Sequence, residues 1–138
     1  MKRTYSLPEA NHAMKLVAVI AGEWLERREL RRTLDRRRRL LERATTPEGL
    51  RDELAELDAR IWEQDEGISA CRQEFEDLGM TVFRVNPLTI HIPGNSKNGP
   101  VVFCWQEGEG DHVCFGHPIG EEQEQRRPLK VRSKSTEA

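Results

Sequence analysis

The 138-residue chain lacks the features that mark secreted, membrane-spanning and strongly charged proteins. Its three cysteines are an odd number at uneven spacing, which excludes the disulfide framework of a small secreted domain. No apolar run approaches the roughly 20 residues that a membrane-spanning helix needs. The net charge of -2 gives the chain as a whole no attraction for nucleic acid or an anionic membrane. Because the first residues lead into a helix start and contain no signal-peptide core, we expect a cytoplasmic protein.

Charge is plentiful, although the two signs nearly cancel. Charged residues make up 33% of the chain and apolar residues 36%. This composition is typical of long solvated helices that bury a single stripe. A chain of this length has room for one compact domain, or for an elongated one with a small core.

The first helix is predicted to begin at Ser6 and to continue to about residue 44. Ser6 and Glu9 can form a capping box, and Pro8 is tolerated in the first turn. Apolar residues then recur at helical spacing at Ala10, Ala13, Val17, Ile20, Trp24, Leu34 and Leu41. Between Ala10 and Leu25 the helix is apolar on several sides, so it needs more cover than one partner helix provides.

The second helix carries the clearest periodic signal. It is predicted to begin at Pro47, with Thr46 as its cap, and to end at Gly79. Its apolar residues, with Gln64 as the one polar member, follow alternating steps of four and three through Leu50, Leu54, Leu57, Ile61, Gln64, Ile68, Cys71, Phe75 and Leu78. This pattern predicts a coiled-coil seam.

Opposite charges predict that the two helices pair antiparallel. Basic residues dominate the end of the first helix, from Arg27 to Arg43, and acidic residues dominate the start of the second, from Glu48 to Glu66. These halves face each other in an antiparallel hairpin and are separated in a parallel pair. Residues 1–79 are therefore predicted to form a helical hairpin with an arginine-rich tip.

The apolar pattern changes to a period of two after residue 79, which predicts a β-rich module at residues 80–129. Its strand candidates lie at residues 81–85, 88–92, 101–105 and 112–115. The module is expected to pack on the apolar base of the hairpin, and the charged tail at 130–138 to be disordered. The predicted fold class is α+β, a long antiparallel two-helix coiled-coil hairpin followed by a small antiparallel β module.

Several short motifs along the chain resemble those of one bacterial family. They are Tyr-Ser-Leu-Pro-Glu-Ala-Asn at 5–11, Leu-Gly at 78–79, Asn-Pro-Leu at 86–88 with Pro93 beyond it, Val-Phe-Cys-Trp at 102–105, and His117 followed by Arg-Arg-Pro-Leu at 126–129. In order and spacing they are similar to the domain-of-unknown-function 2203 family. The chain departs from that family at Glu122-Gln123, where the family has Gly-Phe. The resemblance implies the architecture and assigns no activity.

Two thiols and two imidazoles in the C-terminal part are candidate zinc ligands, namely Cys104, His112, Cys114 and His117. Their spacing, C-x7-H-x-C-x2-H, matches no common zinc pattern. Small buried cysteines and a structural histidine account for the same residues. We therefore expect no cofactor, with zinc as the alternative.

A second candidate site is a polar ligand pocket formed by His117, Arg126, Arg127, Glu109 and Cys104. Arginine binds carboxylates and other anions through two parallel hydrogen bonds. Alternatively, one of the arginines only ties the C-terminal segment to the helices through an ion pair. A cysteine nucleophile assisted by His117 would make this pocket an active site.

No complete catalytic set is recognisable, so the leading interpretation is a non-enzymatic interaction or scaffold protein that forms a homodimer through its apolar base. The alternative is a small enzyme or ligand-binding protein that uses the C-terminal pocket. A third interpretation is nucleic-acid association through the arginine-rich tip, against which the adjacent acidic helix argues. Trp62, beside the seam, is a candidate contact residue for a partner.

Overall fold

The computed structural model describes residues 4–43, 47–97, 99–113, 115–118 and 127–129. Helix α1 spans Leu7–Arg43 and helix α2 spans Pro47–Asp77. They are followed by strands β1 (Thr81–Val85), β2 (Leu88–Ser96), β3 (Gly99–Gln106), β4 (Phe115–Pro118) and β5 (Arg127–Pro128). Two packed helices followed by a small antiparallel sheet confirm the predicted α+β class.

Local capping chemistry sets the start of each helix. The Ser6 amide donates to Glu9 Oε1 at 2.8 Å, and the Glu9 amide donates to Ser6 Oγ at 3.2 Å, so the predicted capping box is present. Helix α2 begins at Pro47. Proline is well tolerated there because the N–H groups of a helix's first turn have no acceptor within the helix, so the missing N–H costs no hydrogen bond. Thr46, the predicted cap of α2, lies outside the described residues.

The end of α2 depends on a left-handed glycine. Gly79 has a φ of 78°, a conformation that a side chain disfavours. The Met80 amide donates to the Phe75 carbonyl at 2.9 Å, which is the long hydrogen bond of a Schellman motif. The chain can therefore turn sharply from α2 into β1.

Residues Ile20–Glu74 form one compact unit, in which the two helices pair antiparallel. Three contacts recur every seven residues on both helices: Trp24 with Arg72, Arg31 with Asp65, and Arg38 with Asp58. Positions in α2 fall as those in α1 rise, which is the direction that the opposite charges predict. The coiled-coil geometry itself stays a prediction.

The buried side of α2 follows the predicted seam. All nine seam residues from Leu50 to Leu78 are buried or half-buried, and Leu57, Cys71 and Phe75 are the buried ones. Apart from Gly67, the positions between them are exposed. The sequence period alone therefore identifies the packed face of α2.

The packed face of α1 is less apolar than that of α2. Arg27, Arg31 and Arg38 are half-buried on it, beside the buried Leu34. Arginine can occupy such positions because its aliphatic stem covers apolar surface while its guanidinium reaches polar partners. Among the described residues, neither helix combines the length and the apolar character needed to cross a membrane.

Residues Met1–Val19 and Phe75–Ala138 form a second compact unit that contains the sheet. The strand order is β1-β2-β3-β4-β5, and each neighbouring pair is antiparallel. One face of the sheet carries the buried side chains of Ile90, Ile92, Phe103 and Trp105. The predicted division into residues 1–79, 80–129 and 130–138 stays a prediction, and the last segment lies outside the described residues.

The second strand is longer than the sequence pattern predicts. The sequence pattern predicts strands at residues 88–92 and 101–105, but β2 continues to Ser96 and β3 begins at Gly99. Gly94 suits this strand, because a Cβ there would lie 2.3 Å from the Phe103 ring. The close approach of the Phe103 ring therefore explains why a glycine, usually a turn-forming residue, occupies this position in the sheet.

The fourth strand is also displaced from its predicted position. The pattern predicts a strand at residues 112–115, whereas β4 occupies Phe115–Pro118. The side chain of Asn11 in α1 binds the Val113 amide at 2.8 Å, so this donor is satisfied outside the sheet. A side chain distant in sequence thus satisfies the backbone just before β4.

Candidate functional site

Two of the predicted site residues share one face of the sheet. Cys104 in β3 is fully buried, and His117 in β4 is 5% exposed. The register pairs Cys104 with Phe115 and Val102 with His117, so the thiol and the imidazole occupy diagonal positions on one face. We call Thr89, His91, Cys104 and His117 the histidine face, because they point away from the apolar face of Ile90 and Ile92.

His91 is a member of this face that the sequence analysis missed. It lies directly opposite Cys104 in the β2–β3 ladder. Its ring stacks on Phe83 with centroids 4.4 Å apart and planes inclined by 13°, and it meets the His117 ring edge-on at 5.5 Å. The alternation in β2 places His91 on the face opposite the apolar residues. Nothing near His91 in the sequence indicates that its ring contacts Phe83 in β1 and His117 in β4.

The histidine face combines a hydroxyl, a thiol and two imidazoles, and the Phe83 ring of β1 stacks against it. The Arg84 guanidinium lies 5.1 Å from the Phe83 ring centroid, which adds a cation to its rim. Among the described residues, the Cys104 thiol and the two imidazoles are not within ligand distance of one common metal position. The ring contacts suit this face to stacking and hydrogen bonding.

The other predicted site residues occupy different surroundings. Glu109 Oε1 accepts from the Gln106 amide at 3.0 Å and so closes the loop after β3. His112 is exposed on this loop, with its Nδ1 atom 2.7 Å from Asp111. The backbone of Arg127 pairs with Gly116, and nothing is described of its side chain. Cys114 and Arg126 lie outside the described residues.

Of the described residues predicted for the pocket or for the zinc site, Cys104 and His117 are therefore the two that the structure brings together on one surface. Glu109 and His112 serve the loop between β3 and β4. The roles assigned to these residues from the sequence stay predictions.

A groove of about 730 Å³ lies along the start of α1. It is lined by the side chains of Thr4, Tyr5, Pro8, Glu9, His12, Ala13, Lys15, Leu16 and Leu78. Leu16 in its wall is 56% exposed, and Val19, one turn further along α1, is 69% exposed. The apolar excess at the start of the first helix is the sequence signal for this surface, because not all of it is buried.

Many of the arginines between Arg27 and Arg43 form ion pairs with acidic side chains of the two helices. The ion pairs are Arg27–Glu23, Arg31–Asp65, Arg32–Glu29, Arg38–Asp58, Arg38–Glu42 and Arg39–Asp35. Hydrogen bonding from Arg38 lowers the pKa of Asp58, and bonding to Asp65 raises the pKa of Arg31. Guanidinium groups engaged in this way are poorly placed to bind phosphate, which argues against the nucleic-acid interpretation.

Comparison with known proteins identifies a family. The sequence profile described as "Uncharacterized conserved protein (DUF2203)" matches residues 3–129. The chain belongs to this family. No curated protein and no solved structure matches it significantly.

The motifs that carry the DUF2203 resemblance include tertiary ties of the sheet-containing unit. The Tyr5 hydroxyl donates to the Leu78 carbonyl at 2.7 Å, and the Tyr5 backbone pairs with β2. The Trp105 indole donates to the Gly110 carbonyl at 2.8 Å. In this chain the family motifs therefore mark architecture as well as the two histidine-face residues Cys104 and His117.

Proposed function

We propose that the protein is a non-enzymatic interaction protein that forms a homodimer through the start of α1. The observation that carries this proposal is the exposure of Leu16 (56%) and Val19 (69%), one turn apart on α1. Fully burying such a side chain contributes about 1.5–3 kcal/mol to the free energy of association. In a two-fold interface the same residue is buried in each of the two copies, so its contribution counts twice. Adjacent exposed apolar side chains beside a groove are typical of a docking surface.

The surface has the self-complementary character that a two-fold interface requires. Leu16 projects from α1, and the neighbouring groove has apolar walls at Pro8, Ala13 and Leu78. If two α1 helices cross antiparallel near Ala13, Leu16 of each copy enters the groove of the other. The same crossing places the Glu9 carboxylate of one copy near the Lys15 ammonium of the other, which favours this orientation over a parallel one.

We also propose that the dimer works in the cytoplasm. The buried Cys71 and Cys104 are free thiols, which suits a reducing compartment. Within this proposal, the hairpin remains available to a further partner.

The homodimer is tested by the native mass of variants on one helix. Sedimentation equilibrium is expected to give the wild type twice the chain mass of 16.0 kDa at micromolar concentration. Leu16→Lys and Val19→Lys should shift the mass to that of one chain, with unchanged helical circular dichroism. Leu40→Lys is the matched control, since Leu40 is 66% exposed on the same helix but outside the surface, and it should remain dimeric.

A second candidate function is ligand binding at the histidine face, supported by the continuous contact of the Phe83, His91 and His117 rings. The imidazole N–H groups and the Arg84 guanidinium could donate hydrogen bonds to a carboxylate or phosphate. Titration with inorganic phosphate and succinate should then shift the imidazole NMR signals of His91 and His117, while those of His112 stay in place. Equal shifts at all three histidines, or none, would reject this site.

A further inference from the structure

A cysteine and two glutamates approach one another between the two helices of the hairpin. One ligand atom from each of Glu23, Cys71 and Glu74 lies within 4.8 Å of the other two. Cys71 is fully buried, whereas both glutamates are exposed. Glu23 comes from α1, and Cys71 and Glu74 come from adjacent positions on one side of α2. We propose that these three residues bind a divalent transition-metal ion such as Zn²⁺.

The geometry requires only a small adjustment of flexible side chains. In tetrahedral zinc sites the metal–sulfur distance is about 2.3 Å and the metal–oxygen distance about 2.0–2.2 Å, which places neighbouring donors roughly 3.5 Å apart. The Cys71 sulfur is held by the packed seam, so the carboxylates of Glu23 and Glu74 must move inward. Both can do so because they are on the exposed side of the hairpin. Three protein ligands leave the fourth position for water.

The surroundings hold one of the ligands in place. Arg27 Nε donates to Glu23 Oε2 at 2.9 Å, and Arg27 Nη1 donates to Gln64 Oε1 at 3.2 Å. A Cβ at Gly67 would lie 2.3 Å from the Arg27 guanidinium, so a helix-weakening glycine provides the room for this side chain. A carboxylate has two oxygens, and Glu23 can therefore remain bonded to Arg27 through Oε2 and offer its other oxygen to the ion.

Charge balance favours a dication. With the Cys71 thiol protonated, the two carboxylates carry two negative charges and Arg27 supplies one positive charge. When the ion binds, the thiol loses its proton to solvent and a metal–sulfur bond forms. One thiolate and two carboxylates then balance one dication and one guanidinium. This step involves no change in oxidation state.

The donor set also limits the metal. One soft thiolate with two hard carboxylates suits Zn²⁺ or Co²⁺ better than Mg²⁺ and Ca²⁺, which prefer all-oxygen sites. Cu⁺ prefers a larger share of sulfur ligands. Co²⁺ is therefore a faithful spectroscopic probe for zinc at this position.

The proposal is tested by titrating the full chain with Co²⁺. The wild type should develop a thiolate-to-cobalt charge-transfer band that saturates at one equivalent and disappears when Zn²⁺ is added. Cys71→Ser should abolish the band, and Glu74→Gln should weaken Co²⁺ binding by more than about tenfold. Cys104→Ser and Glu76→Gln are the matched controls and should bind as the wild type does.

The pH dependence gives an independent readout. Burial, with the nearby Glu23 and Glu74 carboxylates, raises the pKa of Cys71 to about 11, while Arg27 opposes that rise. Because one thiol proton is displaced, Co²⁺ affinity should rise about tenfold per pH unit between pH 6 and pH 8.

The absence of the band in the wild type, its persistence in Cys71→Ser, or its loss in Cys104→Ser would overturn the proposal. Circular dichroism establishes that the Cys71→Ser chain is folded. If that variant does not fold, the Glu23→Gln/Glu74→Gln double variant, altered only on the exposed side, should bind no Co²⁺. Retention of binding by that double variant would equally overturn the site.

Discussion

Replacing Gly94 by alanine should destabilise the sheet, whereas the same change at Gly22 should stabilise the chain. The Cβ of alanine at position 94 would lie 2.3, 2.7 and 2.9 Å from three atoms of the Phe103 ring. Phe103 is only 3% exposed, so the ring cannot move aside into solvent. Overpacking of this kind costs about 1–3 kcal/mol, which exceeds the stabilisation of roughly 0.4–1 kcal/mol from a less flexible unfolded chain.

Gly22 is the matched control for this prediction. It is exposed in α1, and no heavy atom lies within 4 Å of the Cβ that alanine would add. Gly22→Ala should therefore raise the free energy of unfolding by about 0.5–1 kcal/mol through helix propensity alone. Urea denaturation followed by circular dichroism measures both effects. Phe103→Leu should reduce the penalty of Gly94→Ala, and a Gly94→Ala variant as stable as Gly22→Ala would refute the reasoning.

Three further predictions rest on single contacts. Asn11→Ala removes the acceptor of the Val113 amide and should lower the free energy of unfolding in urea by about 1–2 kcal/mol, whereas Asn11→Asp keeps an acceptor oxygen and should lower it less. Equal losses in the two variants would contradict a stabilising role for this hydrogen bond. Asp58→Asn should lower the melting temperature at pH 7 but not at pH 2. The reason is that Arg38 lowers the pKa of Asp58, so its contribution is present above the unfolded-state pKa and is lost as pH falls through the folded-state value. In metal-free protein, Cys71 should resist alkylation at pH 8, because its pKa of about 11 leaves little thiolate; mass spectrometry showing rapid modification of Cys71 in folded protein would reject this.

Much of the helical part could be predicted because its signals are local. The Ser6–Glu9 capping box, Pro47 and Gly79 act within a turn of the position they define. The seam of α2 is visible because its period matches the helix. The sequence does not indicate that Arg27, Arg31 and Arg38 lie half-buried on the packed face of α1, since the charge of a side chain says nothing about the burial of its stem.

The sheet was harder to predict because its decisive contacts are distant in sequence. Gly94 has a turn-forming composition, but it lies in β2 beneath the Phe103 ring. The backbone just before β4 donates a hydrogen bond from the Val113 amide to Asn11, a residue about 100 positions away that no local sequence pattern includes. The histidine face could be predicted in part, from Cys104 and His117, whereas His91 required the strand register.

The concentration-dependent native mass of the wild-type chain tests the central claim most directly. If Leu16 and Val19 form a homodimer surface, sedimentation equilibrium across the micromolar range should give twice the 16.0-kDa chain mass, falling towards one chain mass on dilution. A single 16.0-kDa species at every concentration would contradict the account.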